Sequence, residues 1–136
     1  MTENERIVTD FCRVFGRMDA DELIDYFAPD AVYHNIPLPP LRGREEIYES
    51  LKGLANRFKE LQIEILQQVS SGNIVMNERI DYMTFQDRRV ALPIAGIFEL
   101  ENGKIKAWRE YFDLGMMQRG SDSASAPSSG KESGKA

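Results

Sequence analysis

Three short turn sequences divide the second half of the chain into four stretches of strand type, and this division limits the fold more than any other feature. The turns are Ser71-Gly72-Asn73, Gln86-Asp87 and Asn102-Gly103, which have the residue types of tight hairpins. The stretches between and beside them are residues 61–70, 73–85, 88–100 and 104–114. Because strands joined by tight turns pair antiparallel, we predict an antiparallel meander.

The first half of the chain has helical periodicity instead. Its first apolar residues recur at spacings of three and four, on one face of a helix: Ile7, Val8, Phe11, Cys12, Val14 and Phe15. The helical pattern over residues 5–27 is interrupted at residues 16–19. We expect Asp19 or Asp21 to cap a second short helix and Pro29 to end it. The apolar residues of that helix are Leu23, Ile24 and Phe27.

A short strand and a further amphipathic helix follow. The strand covers residues 31–35, and the prolines at positions 37, 39 and 40 stop it. Gly43 opens the helix, and its predicted buried stripe is Ile47, Leu51, Leu54 and Phe58. Helices first and antiparallel strands last are the α+β layout, in which helices pack on one face of a curved sheet.

Length and composition favour one globular domain. A chain of 136 residues, 42% of them hydrophobic and 29% charged, suits a single domain, which we place at residues 1–118. Residues 119–136 are the predicted disordered tail, because residues 121–136 are almost all Ser, Gly, Ala, Pro and charged residues. Such a segment cannot bury enough apolar surface to offset its loss of conformational entropy.

Charge and residue counts exclude several classes of function. The net charge is −5 and no dense Lys/Arg patch exists, so we expect no nucleic acid partner. The longest nearly apolar stretch, residues 90–98, is far shorter than the ~18 residues of a membrane span. One cysteine, Cys12, and one histidine, His34, cannot build a metal site, and we expect no metal or cofactor. Residues 1–11 contain no signal-peptide core, so we expect a cytoplasmic protein.

Alternation in the second of the four strands places a cation beside an acid. Arg79 and Asp81 project on the same side of the strand, together with Val75, Met83 and Phe85. A surface ion pair on a solvated sheet face gives the same pattern, and such pairs contribute little to stability. This strand alone leaves both interpretations open.

The last strand favours a buried arrangement. Trp108, Glu110 and Phe112 share one side, so a carboxylate lies between two large aromatic side chains. Because burying a carboxylate alone is costly, Glu110 either lies at a rim or has partners from other strands. Arg79 is the natural candidate for such a partner.

A polar pair in the short first strand gives a weaker signal. Tyr33 and Asn35 share one side, and His34 points away from it. A phenol and a carboxamide two residues apart can hold one water molecule from two sides. A tyrosine at a strand end and an asparagine that caps a turn would give the same pattern, so the pair is not decisive alone.

Taken together, these segments resemble the limonene-1,2-epoxide hydrolase family. Residues 33–40 (Tyr-His-Asn-Ile-Pro-Leu-Pro-Pro), followed by Gly43 and Arg44, are similar to its Tyr-x-Asn-x-Pro-Leu-Pro-Pro signature. Residues 77–81 (Asn-Glu-Arg-Ile-Asp) resemble its Glu-Arg-x-Asp strand, and residues 103–114 resemble its closing strand with Trp-Arg-Asp-Tyr-Phe-Asp. The spacings agree over roughly residues 5–114. The implied fold is the cone shared with ketosteroid isomerase, scytalone dehydratase and nuclear transport factor.

The resemblance implies a role for each matching position. Asp81 is the implied general acid that protonates the epoxide oxygen, and Glu110 is the implied general base that takes a proton from water. Tyr33 and Asn35 would hold that water, and Arg79 would lie between the two carboxyl groups. One carboxyl must be protonated and its neighbour ionised at neutral pH, which a shared site with a cation can arrange.

The resemblance also implies a substrate and a partner. The substrate would be a small or medium apolar epoxide, opened by water without a covalent intermediate, and family members are commonly homodimers. An apolar wall suits such a substrate. From side alternation and family likeness, the predicted wall residues are Leu54, Phe58, Met83, Leu92, Ile94, Trp108 and Phe112.

The chain departs from the family at one catalytic position. The family has Asp where this chain has Glu110. The extra methylene moves a carboxylate by about 1.5 Å if the backbone is unchanged. A displacement of ~1 Å can reduce a rate on the order of a hundredfold. This substitution bears on the activity and not on the fold.

Two other functions fit the same residues. An isomerase or cyclase of this fold needs one carboxylate base and a donor to an oxyanion, and Asp81 with Tyr33 supplies both. The adjacent Arg79 argues against that function, because it would keep Asp81 ionised and occupied. A non-catalytic binding or dimerisation module would use the same charged residues as a buried structural network.

Overall fold

The computed structural model of the protein describes residues 1–120. In chain order its elements are α1 (Glu3–Phe15), α2 (Ala20–Ile24), β1 (Phe27–Asn35), β2 (Leu41–Arg42), α3 (Gly43–Lys52), α4 (Leu54–Arg57), β3 (Phe58–Ser71), β4 (Ile74–Phe85), β5 (Arg88–Glu101), β6 (Lys104–Tyr111) and α5 (Leu114–Arg119). This order confirms the predicted α+β class. Of the predicted tail, residues 121–136 lie outside the described residues.

Side-chain caps fix the starts of the first two helices. The Thr2 hydroxyl accepts a hydrogen bond from the Glu5 backbone N–H at 3.1 Å, and the Glu5 carboxylate accepts one from the Thr2 N–H at 3.0 Å. This reciprocal capping box satisfies two N–H groups that the helix itself leaves without partners. Of the two candidate caps for α2, Asp19 is the one used, because its carboxylate accepts from the N–H groups of Asp21 and Glu22.

Six strands form one curved sheet in the order β2-β1-β6-β5-β4-β3. The four long strands from β3 to β6 pair antiparallel with their chain neighbours, which confirms the predicted meander. β1 pairs parallel with β6, so the first strand of the chain lies beside the last. This pairing brings residues 33–35 next to residues 108–110.

The hairpin turns use residues that adopt left-handed backbone conformations. Both central residues of two turns have positive φ, with 53° and 64° at Gln86 and Asp87 and 53° and 78° at Asn102 and Gly103. Two consecutive residues of this kind match the right-handed twist of the flanking strands. In the remaining hairpin Gly72 alone has a positive φ, of 59°. All three predicted turns are confirmed.

Phe27 and Pro29, predicted in a helix and at its end, instead lie in β1. Phe27 pairs with Ile105 of β6, and the parallel register then shifts before Val32. Pro29 lies within that irregular part, where a residue without an N–H is tolerated. Phe27 is fully buried and packs edge-on against Phe11 of α1 at 5.5 Å between ring centroids. Burial of Phe27 in the core therefore favours the strand, although the spacing of the apolar residues fits a helix.

The further predicted helix is also shorter than the pattern suggested. Gly53 separates α3 from α4, and Phe58 does not continue the helix but opens β3, where it pairs with Phe85. A two-residue strand that the pattern did not predict, β2, pairs antiparallel with β1 through Leu41 and Tyr33. The turn that contains the prolines therefore returns the chain to the edge of the sheet.

The main core lies between the helices and the inner side of the sheet, and Trp108 is at its centre. The indole stacks on Tyr33 at 4.3 Å and on Phe98 at 5.2 Å, and Phe11 meets it edge-on at 4.9 Å. Aromatic pairs in such geometries add to the stabilisation that burial alone gives. Trp108 is thereby fixed next to the position where the acidic side chain of Glu110 enters the interior.

A second apolar cluster lies at the other end of the meander. It is built on the buried residues Met83, Val90, Leu92 and Ile94. Met116 and Met117 of α5 pack against this cluster, as expected for methionines that act as an apolar lid at the end of the domain. Asp113 starts α5 by accepting hydrogen bonds from the next backbone N–H groups.

Within residues 1–120, each helix is too short or too polar to cross a bilayer.

Candidate active site

A cavity of about 350 Å³ lies between the helices and the inner side of the sheet. The five residues predicted to carry the chemistry all line it: Tyr33, Asn35, Arg79, Asp81 and Glu110. So do the seven predicted wall residues, Leu54, Phe58, Met83, Leu92, Ile94, Trp108 and Phe112. The structure therefore brings every predicted site residue to one cavity. Further wall residues that the sequence pattern did not single out include Phe15, Leu61, Ile63, Phe85 and Met117.

Strand alternation places the polar groups on the inner side of the sheet. In β4 the inner residues are buried with exposed fractions of 5% for Asn77, 0% for Arg79 and 7% for Asp81, and in β6 Glu110 is 3% exposed. A surface ion pair is thereby excluded for Arg79. A guanidinium with no contact to solvent must be compensated inside the protein, since an unpaired buried charge is very costly.

Glu110 is the main partner of Arg79. The two Nη groups of Arg79 donate to the two carboxylate oxygens of Glu110, Nη1 to Oε2 at 2.8 Å and Nη2 to Oε1 at 2.5 Å. The indole N–H of Trp108 also donates to Oε2, at 2.6 Å. A carboxylate has about four acceptor positions. These three bonds leave one of them open on a side chain that lines the cavity.

Asp81 is held by the same guanidinium, but more loosely. Nε and Nη2 of Arg79 lie 3.4 Å from Oδ1 and Oδ2 of Asp81. The bonds to Glu110 are shorter by more than half an ångström, and charge-assisted hydrogen bonds weaken as they lengthen. Glu110 is therefore the better compensated of the two carboxyl groups, and Asp81 is the better place for a proton.

Burial shifts the pKa values of the ionisable groups in the site. Burial raises the pKa of Asp81, and Arg79 opposes this only in part. Burial also raises the pKa of Glu110, while the Arg79 guanidinium and the Trp108 indole act in the opposite direction. The pKa of Arg79 is lowered by burial but raised more by the two carboxylates, so the guanidinium stays charged. Because one guanidinium faces two carboxyl groups, the two carboxyl groups titrate as a coupled pair.

Tyr33 and Asn35 reach the site from β1. In the parallel pairing with β6, Tyr33 lies opposite Trp108 and Asn35 opposite Glu110. Burial raises the pKa of Tyr33, so its hydroxyl remains a neutral donor and acceptor. His34 points away, as predicted, and its Nε2 lies 3.0 Å from the Leu38 carbonyl oxygen.

Two residues that the sequence reasoning did not assign contact the charged network. The side-chain oxygen of Asn77 accepts a hydrogen bond from Arg79 Nη1 at 3.2 Å, and Gly96 of β5 lies opposite both Asn77 and Glu110. The signals were a polar residue on the same side as Arg79 and a glycine inside a strand, which often marks close approach of another group.

The described residues do not suggest a metal site. In residues 1–120, no group of three or more His, Cys, Asp and Glu side chains is placed to hold a metal ion. Cys12 lies behind the site, and burial raises its pKa to about 12, so it is a neutral thiol.

Comparison with known proteins relates this site to a family. A family model of the limonene-1,2-epoxide hydrolase catalytic domain matches residues 2–121. The chain is 29% identical over 110 residues to epoxide hydrolase EphG of Mycobacterium tuberculosis (strain ATCC 25618 / H37Rv), covering 81% of this chain and 73% of EphG. These matches confirm the family resemblance seen in the sequence motifs.

Solved structures agree with the sequence comparison. The structure of an M. tuberculosis LEH-like epoxide hydrolase superposes with a TM-score of 0.76 at 28% identity, over 86% of this chain and 87% of that one. SalBIII, an epoxide hydrolase/cyclase-like enzyme in pyran ring formation in the polyether salinomycin, superposes with a TM-score of 0.75 over 83% of this chain and 92% of its own. At 21% identity, the likeness to SalBIII shows the fold alone.

The raised pKa of Asp81 leads to a prediction for stability. A carboxyl whose pKa is raised by folding binds its proton more tightly in the folded protein, so its contribution to the free energy of unfolding declines as the pH rises above its ordinary pKa of about 4. Asp81→Asn removes this titration while keeping the shape. We therefore expect the Tm of the unaltered protein to fall relative to that of Asp81→Asn between about pH 4 and pH 8.

Thermal unfolding followed by circular dichroism across this pH range measures the difference. Asp87→Asn is the matched control, because Asp87 is exposed in a hairpin turn and tolerates asparagine at its positive φ. Its Tm curve should run parallel to that of the unaltered protein. A parallel curve for Asp81→Asn as well would contradict a raised pKa at Asp81.

Proposed function

This chain belongs to the limonene-1,2-epoxide hydrolase family, and we propose that it adds water to a small or medium apolar epoxide, terpene-like or cyclic, to give a vicinal diol in one step. The observation that carries the proposal is one buried guanidinium shared by two buried carboxyl groups at the wall of an apolar cavity. Such a group can hold one acid and one base at the same pH.

Water activation is assigned to Glu110. Its one open acceptor position accepts a hydrogen bond from the nucleophilic water, and the Tyr33 hydroxyl and the Asn35 amide hold the same molecule from the β1 side. As the water oxygen forms a bond to an epoxide carbon, its proton moves to Glu110. The Arg79 and Trp108 donors keep the carboxylate oriented during this transfer.

Ring opening is assigned to Asp81. The bond between the attacked carbon and the epoxide oxygen breaks while the Asp81 proton moves to that oxygen, so no free alkoxide forms. At the end Glu110 carries a proton and Asp81 is ionised, which reverses the starting arrangement. Transfer of one proton from Glu110 to Asp81, through solvent after the diol leaves, restores the enzyme. Arg79 remains charged throughout and compensates the one negative charge of the pair.

The extra methylene of Glu110 is consistent with this chemistry. Both carboxylate oxygens reach Arg79 with short bonds, and Oε2 also meets the Trp108 indole. The longer side chain thus has a complete set of partners in this protein. The cost expected from a misplaced carboxylate does not apply when the surrounding donors are placed for the longer side chain.

An isomerase or cyclase of the same fold is the alternative. Such an enzyme would use Asp81 as a base, which requires the ionised form. The sequence suggested that Arg79 keeps Asp81 ionised, but burial raises the pKa of Asp81 and its contacts to Arg79 are long, so we assign the protonated form to it instead. A purely binding module would keep the same charges without turnover, and an activity measurement separates it from both enzymes.

The proposal is tested by incubating purified protein with racemic limonene oxide and with cyclohexene oxide and measuring diols by gas chromatography. We expect diol formation well above the background rate. Asp81→Asn should lower kcat on the order of a thousandfold, because removal of a general acid typically costs 10²–10⁴. Its circular dichroism spectrum should match that of the unaltered protein.

Asp87→Asn is again the control and should keep full activity, since it makes the same chemical change at an exposed position that does not line the cavity. Background rates of diol formation by the unaltered protein with both epoxides would contradict the proposed function. Full activity of Asp81→Asn would contradict the role of Asp81 as the acid.

A second copy of this chain is the partner that we propose for the outer side of the sheet. That side exposes Val69, Met76 and Tyr111 with exposed fractions of 64%, 45% and 44%. Further apolar residues on the same side of β4 and β5 are Ile80, Tyr82, Pro93, Ala95 and Ile97. Exposed apolar side chains on one side of a sheet are typical of association sites, and the family resemblance points to a homodimer.

Light scattering coupled to gel filtration tests this assembly. At micromolar concentration we expect twice the 15.5 kDa mass of one chain, and Met76→Lys should shift the mass toward that of a monomer. Lys52→Asp, a charge change in α3 on the other side of the sheet, should remain dimeric. A monomeric mass for the unaltered protein at that concentration would contradict the dimer.

A further inference from the structure

The ion pair between Arg79 and Glu110 spans two strands that are not neighbours. Arg79 belongs to β4 and Glu110 to β6, with β5 between them. Neighbouring strands are about 4.8 Å apart, so the guanidinium must cross β5 to reach the carboxylate. The crossing point is Gly96, which lies opposite Asn77 on one side and Glu110 on the other.

Gly96 leaves the space in which the ion pair lies. A Cβ atom at this position would lie 2.6 Å from Arg79 Nη1 and 2.6 Å from Glu110 Oε2. Both distances are too short for any carbon atom, so even alanine would displace one of the two groups. The backbone of Gly96 is not in the left-handed region, unlike Gly43, Gly72, Gly103 and Gly120. The glycine is therefore needed here for space and not for backbone conformation.

Asn77 also contacts the Nη1 atom of Arg79. Its side-chain oxygen accepts from Arg79 Nη1 at 3.2 Å, and its amide N–H donates to Gln68 Oε1 at 3.0 Å. Gln68 in turn donates to the Thr9 hydroxyl of α1 at 3.0 Å. Because the Asn77 nitrogen is committed to Gln68, the oxygen must face Arg79. Helix α1 thus fixes the orientation of the acceptor that holds the guanidinium.

We propose that Gly96 and Asn77 are positioning residues that form the wall behind Arg79 and fix its guanidinium against Glu110. The functional part of this inference rests on the proposed epoxide hydrolysis. Neither residue lines the cavity, so both act through the ion pair. Filling the space at Gly96 pushes the carboxylate or the guanidinium away, and removing the Asn77 oxygen leaves one Nη1 hydrogen without a partner.

Displacement of Glu110 predicts a specific kinetic change. A catalytic group moved by ~1 Å typically lowers the rate on the order of a hundredfold. The apolar walls that bind the substrate are unchanged, so KM should stay within about threefold while kcat falls. A general loss of stability would instead lower the amount of active enzyme and leave the kcat of the folded fraction unchanged.

The single tryptophan supplies a readout that does not depend on turnover. Trp108 is the only tryptophan in the chain, and its indole N–H donates to Glu110 Oε2 at 2.6 Å. Its indole signal in a ¹H–¹⁵N spectrum therefore reports the position and the ionisation of Glu110. In the unaltered protein we expect a downfield indole proton that shifts as the carboxyl pair titrates.

The experiment compares Gly96→Ala and Asn77→Leu with the control Gly53→Ala. A Cβ at Gly53 would also approach an arginine nitrogen, Nη1 of Arg57 at 2.7 Å, but Arg57 is exposed and can move aside. Both wall variants should show kcat lowered by ten- to a hundredfold and an upfield shift of the indole proton. Gly53→Ala should match the unaltered protein in both measurements.

The outcomes separate this inference from the proposed function. If the unaltered protein forms no diol, the proposed function fails, and the indole signal still decides whether Gly96 and Asn77 position Glu110. Unchanged indole signals in both folded wall variants would overturn the inference whatever the activity. If Gly96→Ala does not fold, the Asn77→Leu signal decides. Loss of folding in both variants would also contradict the inference, because it would assign these residues to stability.

Discussion

The protein depends on one interaction, the burial of the Arg79 guanidinium with two carboxyl groups. Removing one partner from a buried ion pair typically costs about 3–5 kcal/mol, because the other charge is left without compensation. Arg79 has no exposure to solvent, so its neighbours must supply its partners from inside the protein. Glu110 gives two short bonds, Asp81 two longer ones and Asn77 one more. This inequality supports the proposed mechanism, in which Glu110 carries the negative charge and Asp81 the proton.

The sheet is what brings these groups together. Residues 77, 79 and 81 share one side of β4, and the antiparallel meander places that side opposite β5 and then β6. The parallel return of β1 beside β6 adds Tyr33 and Asn35 at the position of Glu110. Aromatic packing around Trp108 then holds the indole that orients the carboxylate. A shift of one residue in the register of β5 or β6 would turn Gly96 or Glu110, respectively, to the outer side of the sheet.

Much of this arrangement follows from the sequence, because strand alternation is a local property. The parity of Arg79 with Asp81, and of Trp108 with Glu110, predicted which side chains share one side of a strand, and the turn residues predicted the meander. The resemblance to the family then implied that these side chains belong to one site. Phe27 and Phe58 were misplaced because their apolar spacing suits a helix as well as a strand, and only their burial on the sheet decides.

The role of Gly96 could not be predicted in the same way. A glycine in a strand predicts close approach of some group, but not which one. The group in question is the Arg79 side chain, which crosses the neighbouring strand β5 to reach Glu110. This contact depends on the register of β4, β5 and β6. The alternation of side chains along one strand does not reveal its register with other strands. Only the three-dimensional structure therefore identifies the group that lies next to Gly96.

The most direct test of a proton shared unequally around Arg79 is the ionisation of the two carboxyl groups. Carbon-13 spectra of the side-chain carboxyl groups, assigned with the Asp81→Asn and Glu110→Gln variants, measure it across the pH range. At neutral pH we expect the chemical shift of a carboxylic acid for Asp81 and of a carboxylate for Glu110. Carboxylate shifts for both groups at neutral pH would contradict it.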